Sequence, residues 1–183
     1  ILDEERSGSK SQKAMSGIED AVDDLLRISE QARRIEGTFR GSGPTQERRS
    51  IRNVIGNAID DVEFGSVADR TISIPEAEYR VNPELETALR ELLKNAVDHN
   101  DAPNPELSIL VEATTDGTPW LTVEVVDNGP GIPENERRVL REGEEGPLLH
   151  GEGLGLWLAN WIVSELGGDI EIGDNLPRGS VVT

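Results

Sequence analysis

The stretch that decides the fold runs from Asp127 to Asn160. It opens with Asp127-Asn128-Gly129-Pro130-Gly131-Ile132 and closes with Gly151-Glu152-Gly153-Leu154-Gly155-Leu156 running into an apolar segment. Between the two glycine clusters, Pro133 to His150 is charged and has no strong apolar period, though Pro133-Glu134-Asn135-Glu136 reads as the start of a short helix. The first cluster ends an alternating strand pattern, and the second opens a helix whose inward positions are Leu154, Leu158, Trp161, Ile162 and Leu166. Glycine lets a ligand approach the main chain closely, and two such sites joined by a long connection read as a binding edge under a lid.

Working outward, Leu107–Thr114 and Trp120–Val126 are β-rich runs joined by Thr115-Asp116-Gly117-Thr118-Pro119, the pattern of an antiparallel hairpin. Upstream, Asn82-Pro83-Glu84 starts a helix that continues to about His99, with Leu85, Ala88, Leu89, Leu92, Leu93, Ala96 and Val97 on its apolar face. Ser50–Val62 is another amphipathic helix, and Thr71–Ile74 a short strand with a possible companion at Tyr79–Val81. After Gly167-Gly168, Ile170–Ile172 reads as a strand, Gly173-Asp174-Asn175 as a turn, and Gly179–Thr183 as a last strand. Helices and hairpins in this order predict a two-layer α/β sandwich, with a mixed sheet and helices on one face.

Apolar residues from Ile18 to Phe39 recur at steps of three and four, so residues 14–40 read as a long amphipathic helix preceding the sandwich. A seam of that length calls for a partner helix, hence a hairpin or dimer bundle. Gly41-Ser42-Gly43-Pro44 then marks a boundary, giving an expected helical region over 1–43 and a sandwich domain over 44–183.

Composition narrows the function classes. Residues 1–49 carry 10 acids and 9 bases, whereas residues 50–183 carry 26 acids and 9 bases. That field repels nucleic acid and anionic membranes. With 15 Arg against 3 Lys, the acidic shell suggests a high-salt cytoplasm, as in a halophilic archaeon. The absence of Cys excludes disulfides and thiolate metal sites. No apolar run approaches the roughly 18 residues that a membrane span requires, so none is expected in this stretch.

Three groups can carry chemistry. Glu91 and Asn95 lie one helical turn apart, so both project from one side. An Asn amide oxygen there can serve as one protein ligand to a Mg²⁺ held otherwise by phosphates and water, with Glu91 steadying its hydration or orienting a hydroxyl. Asp127, ending a buried strand, can accept hydrogen bonds from an exocyclic amine such as adenine's. The Gly151–Gly155 loop, running into a helix N-terminus, offers backbone N–H groups to phosphate. In a domain of such negative charge, phosphates need uncharged donors and a metal ion.

The order Glu91-Leu-Leu-Lys-Asn95-Ala-Val-Asp-His99, Asp127-Asn-Gly-Pro-Gly131, Gly151-Glu-Gly-Leu-Gly155-Leu resembles the ATP-binding domain of sensor histidine kinases, within a superfamily that includes gyrase and MutL. The resemblance implies a Bergerat-type (GHKL) fold binding ATP and Mg²⁺. By matching position, Asn95 and Glu91 would serve the metal and catalysis. Asp127 would meet the adenine amine, with Gly129, Gly131 and Ile132 shaping its pocket. Gly151, Gly153, Leu154, Gly155 and Leu156 would border the phosphates, and His99 would border the nucleotide. Gly179-Ser180 looks like the start of the family's last box.

The same resemblance makes residues 14–40 the second helix of a dimerisation and phosphotransfer hairpin. It implies a homodimer and a response-regulator receiver domain as partner. Neither His99 nor His150 matches the phosphoacceptor, which is expected upstream of Ile1. The implied function is ATP-dependent histidine phosphorylation in the cytoplasm, in a parent chain that could be membrane-associated. Two other readings stay open: a GHKL-type ATPase or nucleotide-gated module, and a degenerate nucleotide-binding interaction domain. Two departures bear on affinity, Asp98 where a Lys often faces phosphate and Glu152 where a small hydroxyl residue is usual.

Overall fold

The computed structural model describes residues 47–183 apart from 66, 68, 115–119 and 143–153. The expected helix over 14–40, the boundary near residue 43, His150, Gly151, Glu152 and Gly153 lie outside the described residues.

The hairpin at the centre forms as its alternation dictates. β4 (Glu106–Thr114) and β5 (Trp120–Asp127) pair antiparallel from Leu107↔Asp127 to Thr114↔Trp120. Leu107, Ile109 and Val111 are buried while their neighbours are less so, the period-2 signature of a sheet with one covered face. β2 (Asp69–Ser73) adds to β4 in parallel, and β7 (Ser180–Val182) adds to β5 antiparallel, with β6 (Ile172–Asp174) outside it. The sheet order is therefore β2-β4-β5-β7-β6, mixed as expected. A separate two-stranded ladder joins β1 (Arg49–Ser50) to β3 (Arg80–Val81), so the short strand expected at Tyr79–Val81 pairs outside the main sheet.

Among the described residues four helices cover this framework. α1 (Ile51–Asp60) buries Ile51, Val54, Ile55 and Ala58, the i, i+3, i+4, i+7 stripe of its sequence. α2 (Leu85–Asp98) buries Ala88, Leu89, Leu92, Leu93 and Ala96. Its entry is set by Asn82, whose Oδ1 accepts the Glu84 N–H at 2.9 Å while tight i→i+3 bonds lead into the first full turn. α3 (Glu134–Glu142) is short and highly charged, and α4 (Leu154–Glu165) buries Leu156, Leu158, Ala159 and Ile162. Gly167, at φ +82°, ends α4 in the left-handed cap its sequence invited. Each buried Val, Leu or Ile among these contributes roughly 1.5–3 kcal/mol when taken from water.

Two sequence expectations shift. The strand anticipated at Ile170–Ile172 is two residues later, and the turn anticipated at Gly173-Asp174-Asn175 moves to residues 175–179. Pairing with β7 fixes this register, through Ile172↔Val182 and Asp174↔Ser180 and the mutual main-chain bonds of Glu171 and Thr183. The short helix expected to start near Pro133 is α3. Pro133 caps it by accepting from the N–H groups of Glu136 and Arg137.

Candidate active site

The polar centre of the molecule lies where β5 ends. Asp127 is 7 % exposed, and its carboxylate is satisfied from two directions. Oδ1 accepts the Gly129 N–H at 2.7 Å, and Oδ2 accepts the hydroxyl of Ser180, itself buried in β7. A buried carboxylate is costly unless it is hydrogen-bonded, and here charge-assisted bonds hold both oxygens in place. A carboxylate has about four acceptor positions, which leaves capacity for an exocyclic amine.

Close approach of main chain to Asp127 explains two of the surrounding glycines. A Cβ on Gly129 would come 2.9 Å from Asp127 Oδ1 and 3.4 Å from Asn100 Cα. Gly179, at φ +123°, admits no side chain, since its Cβ would fall 1.9 Å from the Asp127 carbonyl oxygen. The Asp127 carbonyl is in turn bonded by Asn175 Nδ2 at 2.8 Å. Gly131 packs against the same loop, with the Gly179 carbonyl 3.3 Å from where its Cβ would be. Ile132 is buried and anchors the turn from within.

The C-terminal end of α2 closes on this turn. Asn100 Nδ2 donates to Asn128 Oδ1 at 3.0 Å, and Asn128 also accepts from the Glu106 N–H and donates to the Asn104 carbonyl, each at 2.9 Å. Asn128 therefore rivets the α2–β4 connection to the end of β5. One face back along α2 stand His99, exposed at the helix end with its N–H on the Asn95 carbonyl, then half-buried Asn95, then Glu91.

Glu91 is 6 % exposed and packs on the start of α4. A Cβ on Gly155 would sit 3.0 Å from Glu91 Oε2, so glycine there is what lets the first turn of α4 rest on the carboxylate. Leu156, beside it, is buried, which leaves its main chain rather than its side chain for a ligand. Leu154 opens the helix. The N–H groups of this first turn are the donors that the sequence expects to face phosphate.

The structure places Asp127, Gly129, Gly131 and Ile132 at the turn that meets the C-terminal end of α2 beside His99, and sets Gly155 and Leu156 against Glu91 about two turns back along that helix, with Asn95 on the stretch between. Gly151 and Gly153 fall outside the described residues. The roles of Ser180, Asn128 and Asn175 had no signal beyond the Gly179-Ser180 pair. Among the described residues there is no cluster of three or more His, Cys, Asp or Glu fit to cage a metal ion. Glu91 and Asn95, one turn apart beside the α4 N-terminus, fit the other case, a Mg²⁺ carried mainly by phosphate and water oxygens.

An α/β sandwich with these polar groups at one end of its helical layer is an ATPase-type nucleotide-binding domain. The pattern of the family described as histidine kinase-, DNA gyrase B- and HSP90-like ATPase matches residues 80–183, and the chain belongs to that family. Among curated proteins it is 30 % identical over 141 residues to the sensor protein KdpD of Escherichia coli K12, covering 73 % of this chain and 15 % of that one. It is 36 % identical over 96 residues to the nitrogen regulation protein NtrY of Azorhizobium caulinodans, covering 50 % of this chain and 12 % of that one. The chain spans less than a sixth of either relative's length.

The mycobacterial sensor histidine kinase MprB superposes with a TM-score of 0.61 at 21 % identity, covering 75 % of this chain and 94 % of that one. The Acinetobacter baumannii histidine kinase AdeS gives 0.58 at 19 % identity, covering 88 % and 73 %. These likenesses establish the sandwich as the histidine-kinase type of GHKL ATPase fold.

Proposed function

We propose that this chain is the ATP-binding catalytic domain of a two-component sensor histidine kinase, transferring the γ-phosphate of Mg·ATP to a histidine other than His99 and His150. The buried Asp127 carboxylate, held between Gly129 and Ser180, is the observation that carries the reading. It presents remaining acceptor capacity at the mouth of a glycine turn, which suits the amine edge of adenine and rejects a carbonyl there. Gly129, Gly131 and Ile132 shape that end, and His99 borders it. Toward the phosphates, Gly155 with Leu154 and Leu156 present the α4 N-terminus, and the sequence motif adds Gly151 and Gly153 as further phosphate-side residues.

When bound, Mg²⁺ would neutralise phosphate charge, with Asn95 as a protein ligand and Glu91 placed to order its hydration. Catalysis of this kind rests on positioning and charge stabilisation, with no covalent bond to the nucleotide. The partners are a response-regulator receiver domain and, through the helical region, a second copy of the chain. The domain works in the cytoplasm. Among its described residues no helix is long and apolar enough to cross a membrane. The surplus of 26 acids over 9 bases in residues 50–183 suits a high-salt interior, where screening shortens self-repulsion.

The ATPase alternative rests on the same Glu91, which could orient water beside the phosphates. Two measurements divide the readings. Titration with a fluorescent ATP analogue, with and without Mg²⁺ at low and molar KCl, should show Mg-dependent binding. Incubation with [γ-³²P]ATP and a histidine-bearing helical hairpin should give acid-labile protein label. Steady phosphate release without label would favour the ATPase, and no binding at any salt would end both readings.

A further inference from the structure

The polar atoms around Asp127 come from separate chain segments, and the residue joining two of them lies outside the nucleotide motifs. Arg137, in the first turn of α3, has a side chain only 17 % exposed. Its Nε donates to the Ile132 carbonyl at 2.6 Å, and its Nη2 donates to Asp174 Oδ1 at the end of β6. The guanidinium lies over Gly131, where a Cβ would come 3.9 Å from Nη2. Beyond Asp174 the chain turns back at once. The Asn175 N–H donates to the Gly179 carbonyl at 3.1 Å, and its Nδ2 donates to the Asp127 carbonyl. Arg178, near the far end of the same loop, pairs with Asp101 after α2. The loop from Asp174 to Gly179 is therefore clasped on one side to the Gly131–Ile132 turn and on the other to Asp127.

We propose that Arg137 is a positioning residue of the adenine-side pocket: by gripping the Ile132 carbonyl and the Asp174 carboxylate together, it sets the Gly129–Ile132 turn against Asp127 and Ser180, and so fixes base discrimination. This rests on the reading of Asp127 as the base-recognising group. A planar guanidinium can serve two divergent acceptors at once, which a lysine ammonium on a flexible stem cannot do with the same geometry. The two arms are unequal. Asp174 is 65 % exposed, so its ion pair is screened and contributes little, and the Ile132 carbonyl is the dominant arm.

The test uses the full 183-residue chain and the variants Arg137→Gln, Arg137→Lys, Asp174→Asn and the Arg137→Gln/Asp174→Asn pair. Competition of ATP and of GTP against a fluorescent ATP analogue gives base discrimination, and hydrogen exchange without nucleotide reads the Gly129, Gly131 and Ile132 amides. In Arg137→Gln the preference for ATP over GTP should fall about tenfold, and those amides should exchange about tenfold faster. Arg137→Lys should recover part of both, and Asp174→Asn alone should move each by about twofold. Because the two residues share one link, adding Asp174→Asn to Arg137→Gln should change nothing further.

The proposal is overturned if Arg137→Gln keeps wild-type discrimination and exchange. Equal weakening of ATP and GTP alongside a general loss of thermal stability also overturns it, since that is what a merely structural residue would do. A wild-type chain that binds neither nucleotide refutes the reading of Asp127 instead, and the exchange arm then still decides whether Arg137 holds the turn.

Discussion

The two ends of β5 make opposite use of the same layer between helices and sheet. At the Asp127 end, main-chain groups crowd together and Asp127 itself is held by polar, directional contacts: Gly129 N–H and the Ser180 hydroxyl on the carboxylate, Asn175 on the carbonyl. At the Trp120 end there is an apolar groove of about 330 Å³, lined by Leu85, Leu89, Leu92, Leu121, Val123 and Val163. A concave apolar surface of that size is the usual first guess for a ligand site. That groove suits a triphosphate poorly, because its described lining carries the carboxylates Asp169 and Glu171 and no Lys or Arg. In so acidic a domain, what singles out a nucleotide site is the convergence of uncharged donors on one buried acceptor.

Four substitutions probe that contrast, in decreasing order of effect. Gly179→Ala should be the most damaging, since its Cβ would overlap the Asp127 carbonyl in a backbone region closed to L-residues. A loss of about 3 kcal/mol or more is expected, measured by urea denaturation, together with loss of nucleotide binding. Asp127→Asn should leave the fold near wild type, because the Ser180 hydroxyl can turn to accept from the new amide. It should cut ATP affinity by about 2 kcal/mol, some thirtyfold, in the fluorescent-analogue titration.

Gly155→Ala acts at the phosphate side, where the added methyl crowds Glu91 Oε2. It should weaken ATP by about 1 kcal/mol while leaving adenosine unchanged, in parallel titrations of the two. At the apolar end, Leu121→Ser should lower the melting temperature by about a few degrees and leave the ratio of ATP to adenosine affinity untouched. If Leu121→Ser changed that ratio and Asp127→Asn did not, the assignment of the two ends would be reversed.

Strongly periodic segments were readable from sequence. The alternation of β4 and β5 gives their pairing, and the stripe on α2 with Asn82 before it gives that helix and its start. The Glu91/Asn95 pair and Asp127 were also legible as candidates for a site, because helical spacing and a strand ending in glycines are local signals. What escaped detection is non-local. Asn175 reaches a carbonyl 48 residues away and Arg137 a carboxylate 37 residues away, and neither contact leaves a mark on its own neighbourhood. β6 was misplaced by two residues because its register comes from β7, across the chain turn. α3 was legible as a short helix from its Pro-Glu start, a local signal that a surface helix carries even without an apolar stripe.

The most direct test of the central claim, that ATP sits at the Asp127 end of β5, is an amide chemical-shift map of the ¹⁵N-labelled chain titrated with Mg·ATP. The account predicts the largest shifts at Asn95–Asn100, Asp127–Ile132, Gly151–Leu156 and Ser180, with Leu85, Leu89 and Trp120–Val123 nearly still. Saturable shifts centred on the Trp120 end, with Asp127 and Gly129 unmoved, would contradict it.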